Sequence, residues 1–236
     1  MFVFALVVFM AAYGLPACGE DEAGNDVERY RYEAMPEGSF DHQLREVIDT
    51  RFVTAVDSIE YSATVTAMDR ADHVRVVTDK RGRFVFAMRD SRSGSDEEVR
   101  RVWRDDSKVY VGNSAGKSGK AKSLTIPNEY PLAVDASLLI LLRSFPFDTE
   151  TEWNVFMVDF SGASITVSVH QAGVEGVFTP EGIFDCYKME VVVNVPLLRP
   201  KITYWLAKKS PHFLVKQRGK RGPFTASYIT SLVSMR

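Results

Sequence analysis

Residues 59–66 have the sequence Ile59-Glu60-Tyr61-Ser62-Ala63-Thr64-Val65-Thr66, in which apolar or small side chains alternate with polar ones. Because successive side chains of a strand point to opposite sides of a sheet, this period of two predicts a strand with one buried face. Residues 73–78 and 83–88 repeat the alternation, and the charged segments 69–72 and 80–82 between them are typical of turns. These segments therefore predict consecutive antiparallel strands joined by hairpins.

Similar segments continue to the end of the chain. They predict strands at residues 99–103, 108–111, 123–126, 152–160, 163–172, 182–194, 201–208, 212–218 and 227–233. A helix is predicted over residues 135–144, whose density of leucine indicates burial against the sheet. A second helix is predicted over residues 40–52 from one apolar stripe, formed by Phe40, Leu44, Val47, Ile48 and Phe52.

This order of elements predicts a mainly β protein of the α+β class. About a dozen short strands with few helices argue against parallel βαβ architecture. We expect a single curved antiparallel sheet or half-barrel, with one or two helices packed on the concave face.

The N-terminus carries an uncharged apolar run from Met1 to Tyr13, followed by Leu15-Pro16-Ala17-Cys18. This segment resembles a bacterial lipoprotein signal, which implies cleavage before Cys18 and a diacylglycerol on its thiol. Gly19 follows where an aspartate is the familiar signal for inner-membrane retention, so we expect a lipid anchor in the outer membrane, facing the periplasm. Two alternatives stay open, an uncleaved anchor or an incorrect start, because no basic residue precedes Arg29.

The domain organisation follows from this signal and from composition. Residues 1–17 are expected to be the signal peptide, residues 18–38 an acidic flexible tether, and residues 39–236 the β domain. Charge is unevenly distributed: ten acidic and three basic residues lie between Glu20 and Asp49, whereas no acidic residue follows Glu190. The basic C-terminal part either docks an anionic partner or complements an acidic region of the same fold. No nucleic-acid partner is expected.

The C-terminal half carries a resemblance to a known family. Residues 135–147 with Trp153, the segment Phe184-Asp185-Cys186-Tyr187-Lys188, and Tyr204-Trp205 with Pro211-His212-Phe213-Leu214-Val215-Lys216 resemble a family of uncharacterised bacterial envelope lipoproteins, whose members have a C-terminal domain of unknown function. More distantly, the expected architecture is similar to the half-barrel of periplasmic lipoprotein carriers. That second resemblance implies a concave apolar cavity for acyl chains.

No motif predicts catalysis. The segment Gly112-Asn113-Ser114-Ala115-Gly116-Lys117-Ser118 has one residue too few between its glycines for a phosphate loop, and no helix follows Ser114 as a nucleophile elbow requires. The four histidines lack metal-ligand spacing, and Cys186 is expected to be a buried, inert thiol. We therefore expect no enzymatic activity, no cofactor and no metal.

The remaining functional signal is a set of aromatic and methionine side chains that suits apolar ligands. The candidate ligand-binding residues are Trp153, Met157, Met189, Tyr204, Trp205 and Phe213. The sequence thus predicts an anchored envelope protein that binds a lipid, an acyl chain or an acylated protein in a concave β cavity. The alternative is a structural or interaction lipoprotein with a solid core, which docks an unidentified partner through its basic C-terminal face.

Overall fold

The computed structural model of the protein describes residues 25–113, 121–127, 129–134, 137–194, 200–220 and 225–236. The predicted signal peptide, the lipidation site Cys18 and the rejected nucleophile Ser114 lie outside these residues.

The described residues form fifteen strands and one α-helix. The strands are β1 (Asp26–Pro36), β2 (Glu46–Thr54), β3 (Ser58–Thr66), β4 (Arg70–Asp79), β5 (Phe84–Ser93), β6 (Asp96–Asp105), β7 (Lys108–Asn113), β8 (Lys122–Thr125), β9 (Leu132–Val134), β10 (Glu152–Val158), β11 (Ser164–Thr179), β12 (Gly182–Val193), β13 (Lys201–Ala207), β14 (Leu214–Lys220) and β15 (Ser227–Met235). The α-helix, α1, spans Ser137–Arg143, and a short 3-10 helix spans His42–Leu44.

All fifteen strands belong to one curved sheet, which confirms the predicted fold class. Its order is β8-β7-β6-β5-β4-β3-β2-β1-β15-β14-β13-β12-β11-β10-β9, so the first and last strands meet in the middle. Neighbouring strands are antiparallel except for the parallel pair β9–β10. The sheet is not closed, and β8 and β9 form its two edges.

Alternating side chains build the core on the concave face. On β1, Tyr30, Tyr32 and Ala34 are buried, while the residues between them point outward. The helix α1 is packed against this face, and six of its seven residues are buried. Its last residue, Arg143, has its guanidinium carbon 4.1 Å from the ring centroid of Phe52 on β2. The predicted buried leucine-rich helix is therefore confirmed over residues 137–143.

The expected helix over residues 40–52 is wrong. Residues 46–54 form β2, and Phe40 and Leu44 of the expected stripe are 92% and 48% exposed. Ile48 and Phe52 are four residues apart, a spacing that fits one face of a strand as well as one face of a helix. The segment pairs with β1 on one side and with β3 on the other, and so becomes part of the sheet.

The β domain begins earlier than the sequence indicated. Residues 26–36, which composition assigned to the acidic tether, form β1 and pair with both β2 and β15. Arg29, Arg31 and Glu33 lie on the outer face, where charge is compatible with a strand, whereas Glu28 lies on the concave face and pairs with Arg143. The boundary of the domain therefore moves from residue 39 to residue 26, and only residues 19–25 separate it from Cys18.

Candidate functional site

Five of the six candidate ligand-binding residues, including Trp205, are part of the packed core. Met157, Met189 and Tyr204 are 4%, 0% and 3% exposed. Phe213 is buried as well, and its ring stacks on that of Tyr30 with 5.3 Å between centroids. All five belong to the same continuous hydrophobic cluster.

Trp205 points to the other face of β13, away from Tyr204. Its indole nitrogen donates a hydrogen bond to Glu175 Oε1 at 2.6 Å, and this bond holds the pKa of the Glu175 carboxyl below its usual value. The ammonium groups of Lys188 and Lys216 each lie 5.7 Å from the centroid of its ring. Trp205 is thus the centre of a charged cluster on the outer face.

Trp153, the sixth candidate, lines a cleft at the open seam of the sheet. This cleft, which we call the seam cleft, has a volume of about 730 Å³. It lies between the β4–β5 turn, the segment 126–131 that connects the two edge strands, and the start of β10. Binding sites for small molecules typically occupy roughly 300–1,000 Å³. The seam cleft is therefore large enough for part of a lipid.

The inner wall of the seam cleft is apolar. Ile126, Leu132 and Leu141 line it and are 6%, 5% and 7% exposed. The half-buried ring of Trp153 completes the wall and lies 4.8 Å from the ring of Phe145, centroid to centroid. Segments that are distant in sequence thus supply one apolar surface at the mouth of the concave face.

The rim of the seam cleft carries charges of both signs. Arg83 also lines the cleft, but its Nε donates to Asp79 Oδ2 at 2.6 Å and is neutralised there. Arg104 donates from Nε to the backbone oxygen of Asp106 at 2.9 Å. Among the residues that the structure describes, no carboxylate forms an ion pair with Arg104 or with Arg81.

Two glutamates complete this rim. Glu129 and Glu152 line the seam cleft and form no ion pair within the described part of the chain. Two cations and two anions without ion-pair partners therefore surround an apolar wall. Charged groups that form no ion pair within the described residues are available to a ligand that carries both a phosphate and an ammonium group.

A second pocket, of about 460 Å³, is polar and lies at the opposite end of the sheet. Its centre is Asp72, which is 2% exposed and whose Oδ2 accepts from Arg70 Nη2 at 2.5 Å and from Arg89 Nη2 at 3.2 Å. Arg100 Nη1 donates to the backbone oxygen of Phe160 at 3.2 Å and so links β6 to the β10–β11 turn. These contacts join the two sides of the open sheet.

Two basic residues of the C-terminal part form ion pairs within the fold. Arg218 pairs with Glu37 at 2.6 Å, and Lys201 pairs with Glu190 at 2.6 Å. Glu37 belongs to the acidic N-terminal region, which β1 brings beside β15 and close to β14. The structure thus supports the second interpretation of the charge asymmetry for these residues.

The other candidate chemical groups occupy structural positions. Cys186 is fully buried, and burial raises the pKa of its thiol to about 12. His212 has its Nδ1 2.9 Å from the backbone oxygen of Ala207, and its ring lies 4.9 Å from that of Phe147. Within the described residues, no group of three or more His, Cys, Asp or Glu side chains could hold a metal ion.

Apart from Trp153, the residues of the seam cleft were not predicted from the sequence as binding residues. Arg81 was assigned to a turn, and Ile126 to the end of a short strand. One signal for the cleft is present, namely the sequence from Pro127 to Pro131, which includes Tyr130 and connects the two edge strands.

The chain is similar to solved structures of other bacterial proteins at low sequence identity. No family model and no curated protein matches it. Among solved structures it is similar to a candidate lipoprotein from Parabacteroides distasonis, with 13% identity, 89% of this chain and 95% of that chain covered, and a TM-score of 0.38. It is also similar to a candidate exported protein with a YmcC-like fold from Bacteroides fragilis, with 11% identity, the same coverages of 89% and 95%, and a TM-score of 0.34.

One further property concerns the membrane. No helix in the described ranges is long and apolar enough to cross a bilayer.

Proposed function

We propose that the protein is a non-enzymatic, lipid-anchored envelope protein that binds the acyl chain of a lipid or of an acylated protein in the seam cleft. The observation that carries this proposal is the apolar wall of Ile126, Leu132 and Leu141 beneath a rim of charges without ion-pair partners. An amphiphile satisfies both parts of such a site at once. The predicted anchor at Cys18 would hold the cleft at a membrane, where such ligands are found.

The energetics of the seam cleft suit partial enclosure of a chain. Each methylene group moved from water to an apolar wall contributes about 0.8 kcal/mol, so six of them contribute about 5 kcal/mol before the cost of association. The open mouth leaves the rest of the chain and the headgroup outside the wall. This arrangement supports reversible binding of a lipid in exchange with a bilayer.

The proposal is tested by photocrosslinking in cells. The full chain is produced in a bacterial host that is fed a photoactivatable, clickable fatty acid, and the crosslinked peptides are identified by mass spectrometry after irradiation. We expect adducts on peptides that contain Leu132 or Trp153, in addition to the acyl groups on Cys18 that need no irradiation. Adducts confined to Cys18, or spread evenly over the chain, would contradict binding in the seam cleft.

A matched pair of variants sharpens this test. Trp153→Glu places a charge in the apolar wall and should abolish the adducts on the peptide with Leu132. Trp103→Glu makes the same change at another half-buried tryptophan, whose ring stacks on Tyr110 at 5.6 Å and does not line the cleft, and should leave them unchanged. Equal loss in both variants would mean that the adducts report the stability of the fold and not a binding site.

A further inference from the structure

Three arginines lie side by side on the outer face of β15, β1 and β2. Arg29 and Arg236 exchange both backbone hydrogen bonds, at 3.2 and 2.9 Å, so they are direct neighbours across β1 and β15. Arg29 is also directly opposite Arg51 across β1 and β2. Because residues opposite each other in antiparallel strands have Cβ atoms about 5 Å apart, the three side chains form one dense row of positive charge.

The side chains of this row form no ion pair within the described residues, although Asp49 and Glu60, which pair with Arg31 and Arg75, line the same groove. Within the described ranges, no carboxylate forms an ion pair with Arg29, Arg51 or Arg236, and the buried Nε of Arg51 has no acceptor. The next row on the same face is neutralised, since Arg31 binds both carboxylate oxygens of Asp49 at 2.7 and 2.9 Å. Like charges opposite each other destabilise a sheet unless an anion lies between them.

The row borders a groove of about 660 Å³ that also contains hydroxyl groups. Ser62 is directly opposite Arg51, and Ser234 lies one position before the end of β15, opposite Arg31. We call this surface, formed by Arg29, Arg51, Arg236, Ser62 and Ser234, the arginine groove. Guanidinium groups beside hydroxyl donors are the partners that phosphate oxygens prefer.

The arginine groove lies close to the predicted anchor. Eight residue steps separate Cys18 from Asp26, the first residue of β1, and a fully extended chain of that length spans at most about 28 Å. Arg29 follows three residues later, about 10 Å along the strand. The β15–β1–β2 face is therefore the part of the sheet that a short acylated N-terminus brings to the bilayer.

We infer that the arginine groove binds the phosphate groups of anionic membrane lipids and holds the outer face of β15, β1 and β2 against an anionic bilayer. This inference rests on the acylation of Cys18 that the proposed function includes, but not on ligand binding in the seam cleft. The partner is the headgroup layer of a phospholipid membrane. Electrostatic contacts of this kind act over about 8 Å at physiological salt, so they require the face to touch the membrane.

The inference is tested by footprinting the full, acylated chain in nanodiscs with phenylglyoxal, which modifies accessible arginines. The nanodiscs contain phosphatidylcholine alone or with phosphatidylglycerol, and modification is measured by mass spectrometry. In the anionic discs we expect Arg29 and Arg236 to react about fivefold more slowly, the factor expected for one basic residue at an anionic surface. Arg101, exposed on the outer face of β6 without an ion pair, should react equally in both discs.

Two variants with equal changes in charge provide the control. Arg29→Gln/Arg236→Gln alters only exposed side chains, and it should remove the protection of Arg51 by anionic lipid. Arg101→Gln/Lys220→Gln also removes two exposed charges, and Arg29, Arg51 and Arg236 should remain protected in it. Circular dichroism of both variants establishes that they are folded.

Three outcomes would overturn the inference. The first is equal modification of Arg29 and Arg236 in neutral and anionic discs. The second is protection by millimolar inorganic phosphate in neutral discs without any effect of anionic lipid, which would make the groove a site for free phosphate. The third is that the Arg101→Gln/Lys220→Gln variant also loses the protection of Arg29, Arg51 and Arg236 by anionic lipid. The mass of the N-terminal peptide reports acylation of Cys18 in the same sample, so a failure of the proposed anchor is recognised separately.

Discussion

The Nη2 atom of Arg143, the last residue of α1, lies 2.9 and 2.7 Å from the two carboxylate oxygens of Glu28 on β1. Arg143 Nε also donates to the backbone oxygen of Pro211 at 2.9 Å, and its guanidinium carbon lies over the ring of Phe52. One side chain therefore joins the helix to β1, β2 and the connection before β14. These contacts fix the position of α1 on the concave face.

We expect Glu28→Gln to lower the free energy of unfolding by about 2 kcal/mol, since it removes the countercharge of a guanidinium that is only 11% exposed. The matched control is Asp49→Asn, which breaks a bidentate pair with Arg31 of similar geometry but with side chains 51% and 48% exposed. Exposed pairs contribute about 0.2–1 kcal/mol. Urea unfolding of both variants measures the difference, and equal losses would contradict this role of Arg143.

The strands could be predicted where alternation was uninterrupted and turn residues marked the ends. The segment 59–66 is the clearest case. It pairs with β4, which in turn pairs with β5, and short turns join these strands. Prediction failed at β1 and β2. The acidic composition around Asp26 obscured the alternation of Tyr30 and Tyr32, and the spacing of Ile48 and Phe52 fits two periodicities.

The seam cleft could not be predicted because its residues are brought together only by the order of the strands. Arg81, Leu132 and Trp153 come from the β4–β5 turn, β9 and β10, and the sequence does not show that β8 and β9 are the edges of the sheet. Aromatic and methionine content selected Trp153, which lines the seam cleft. The same criterion selected Met189 and Tyr204, because core packing and ligand binding require the same side chains.

Alkaline pH should destabilise the protein through its buried tyrosines. Burial raises the pKa of Tyr61 above its ordinary value of about 10, so the folded protein keeps a proton that the unfolded chain releases. The contribution of Tyr61 to stability is complete below pH 10 and is lost as the pH rises above it. Tyr61→Phe should therefore reduce the fall in unfolding free energy above pH 10 by about 1.4 kcal/mol per pH unit.

Urea unfolding at pH 9, 10 and 11 measures how the free energy of unfolding changes with pH in the wild type and in Tyr61→Phe. Any loss of packing in the variant appears equally at all three values and does not affect the slope. An unchanged slope would show that Tyr61 does not keep its proton in the folded state.

Cys186 should be unreactive in the folded protein. With its pKa raised to about 12, its thiolate population at pH 8 is about a thousandfold below that of an ordinary cysteine. We expect iodoacetamide to label the acylated chain only at the rate of unfolding, and to label one thiol per chain in urea. Two reactive thiols in urea would contradict acylation of Cys18, and fast labelling without urea would contradict burial of Cys186.

The charges at the rim of the seam cleft lead to a prediction about headgroup preference. Arg81 and Arg104 can each contact a phosphate, so Arg104→Gln should weaken binding of phosphatidylethanolamine and of phosphatidylglycerol alike, by about fivefold. Glu129 and Glu152 can contact only the ammonium group. Glu152→Gln should therefore weaken binding of phosphatidylethanolamine and strengthen that of phosphatidylglycerol, because the repulsion of an anionic headgroup decreases.

Each lipid is added as a competitor of a photoactivatable fatty acid for the cleft. The loss of crosslinks in the cleft measures how strongly that lipid binds. The control is Glu181→Gln, which removes an equal charge from the β11–β12 turn, away from the cleft. It should change neither preference. If Arg104→Gln and Glu152→Gln shift both lipids in the same direction, the rim does not recognise the headgroup, and the apolar wall alone determines which ligand binds.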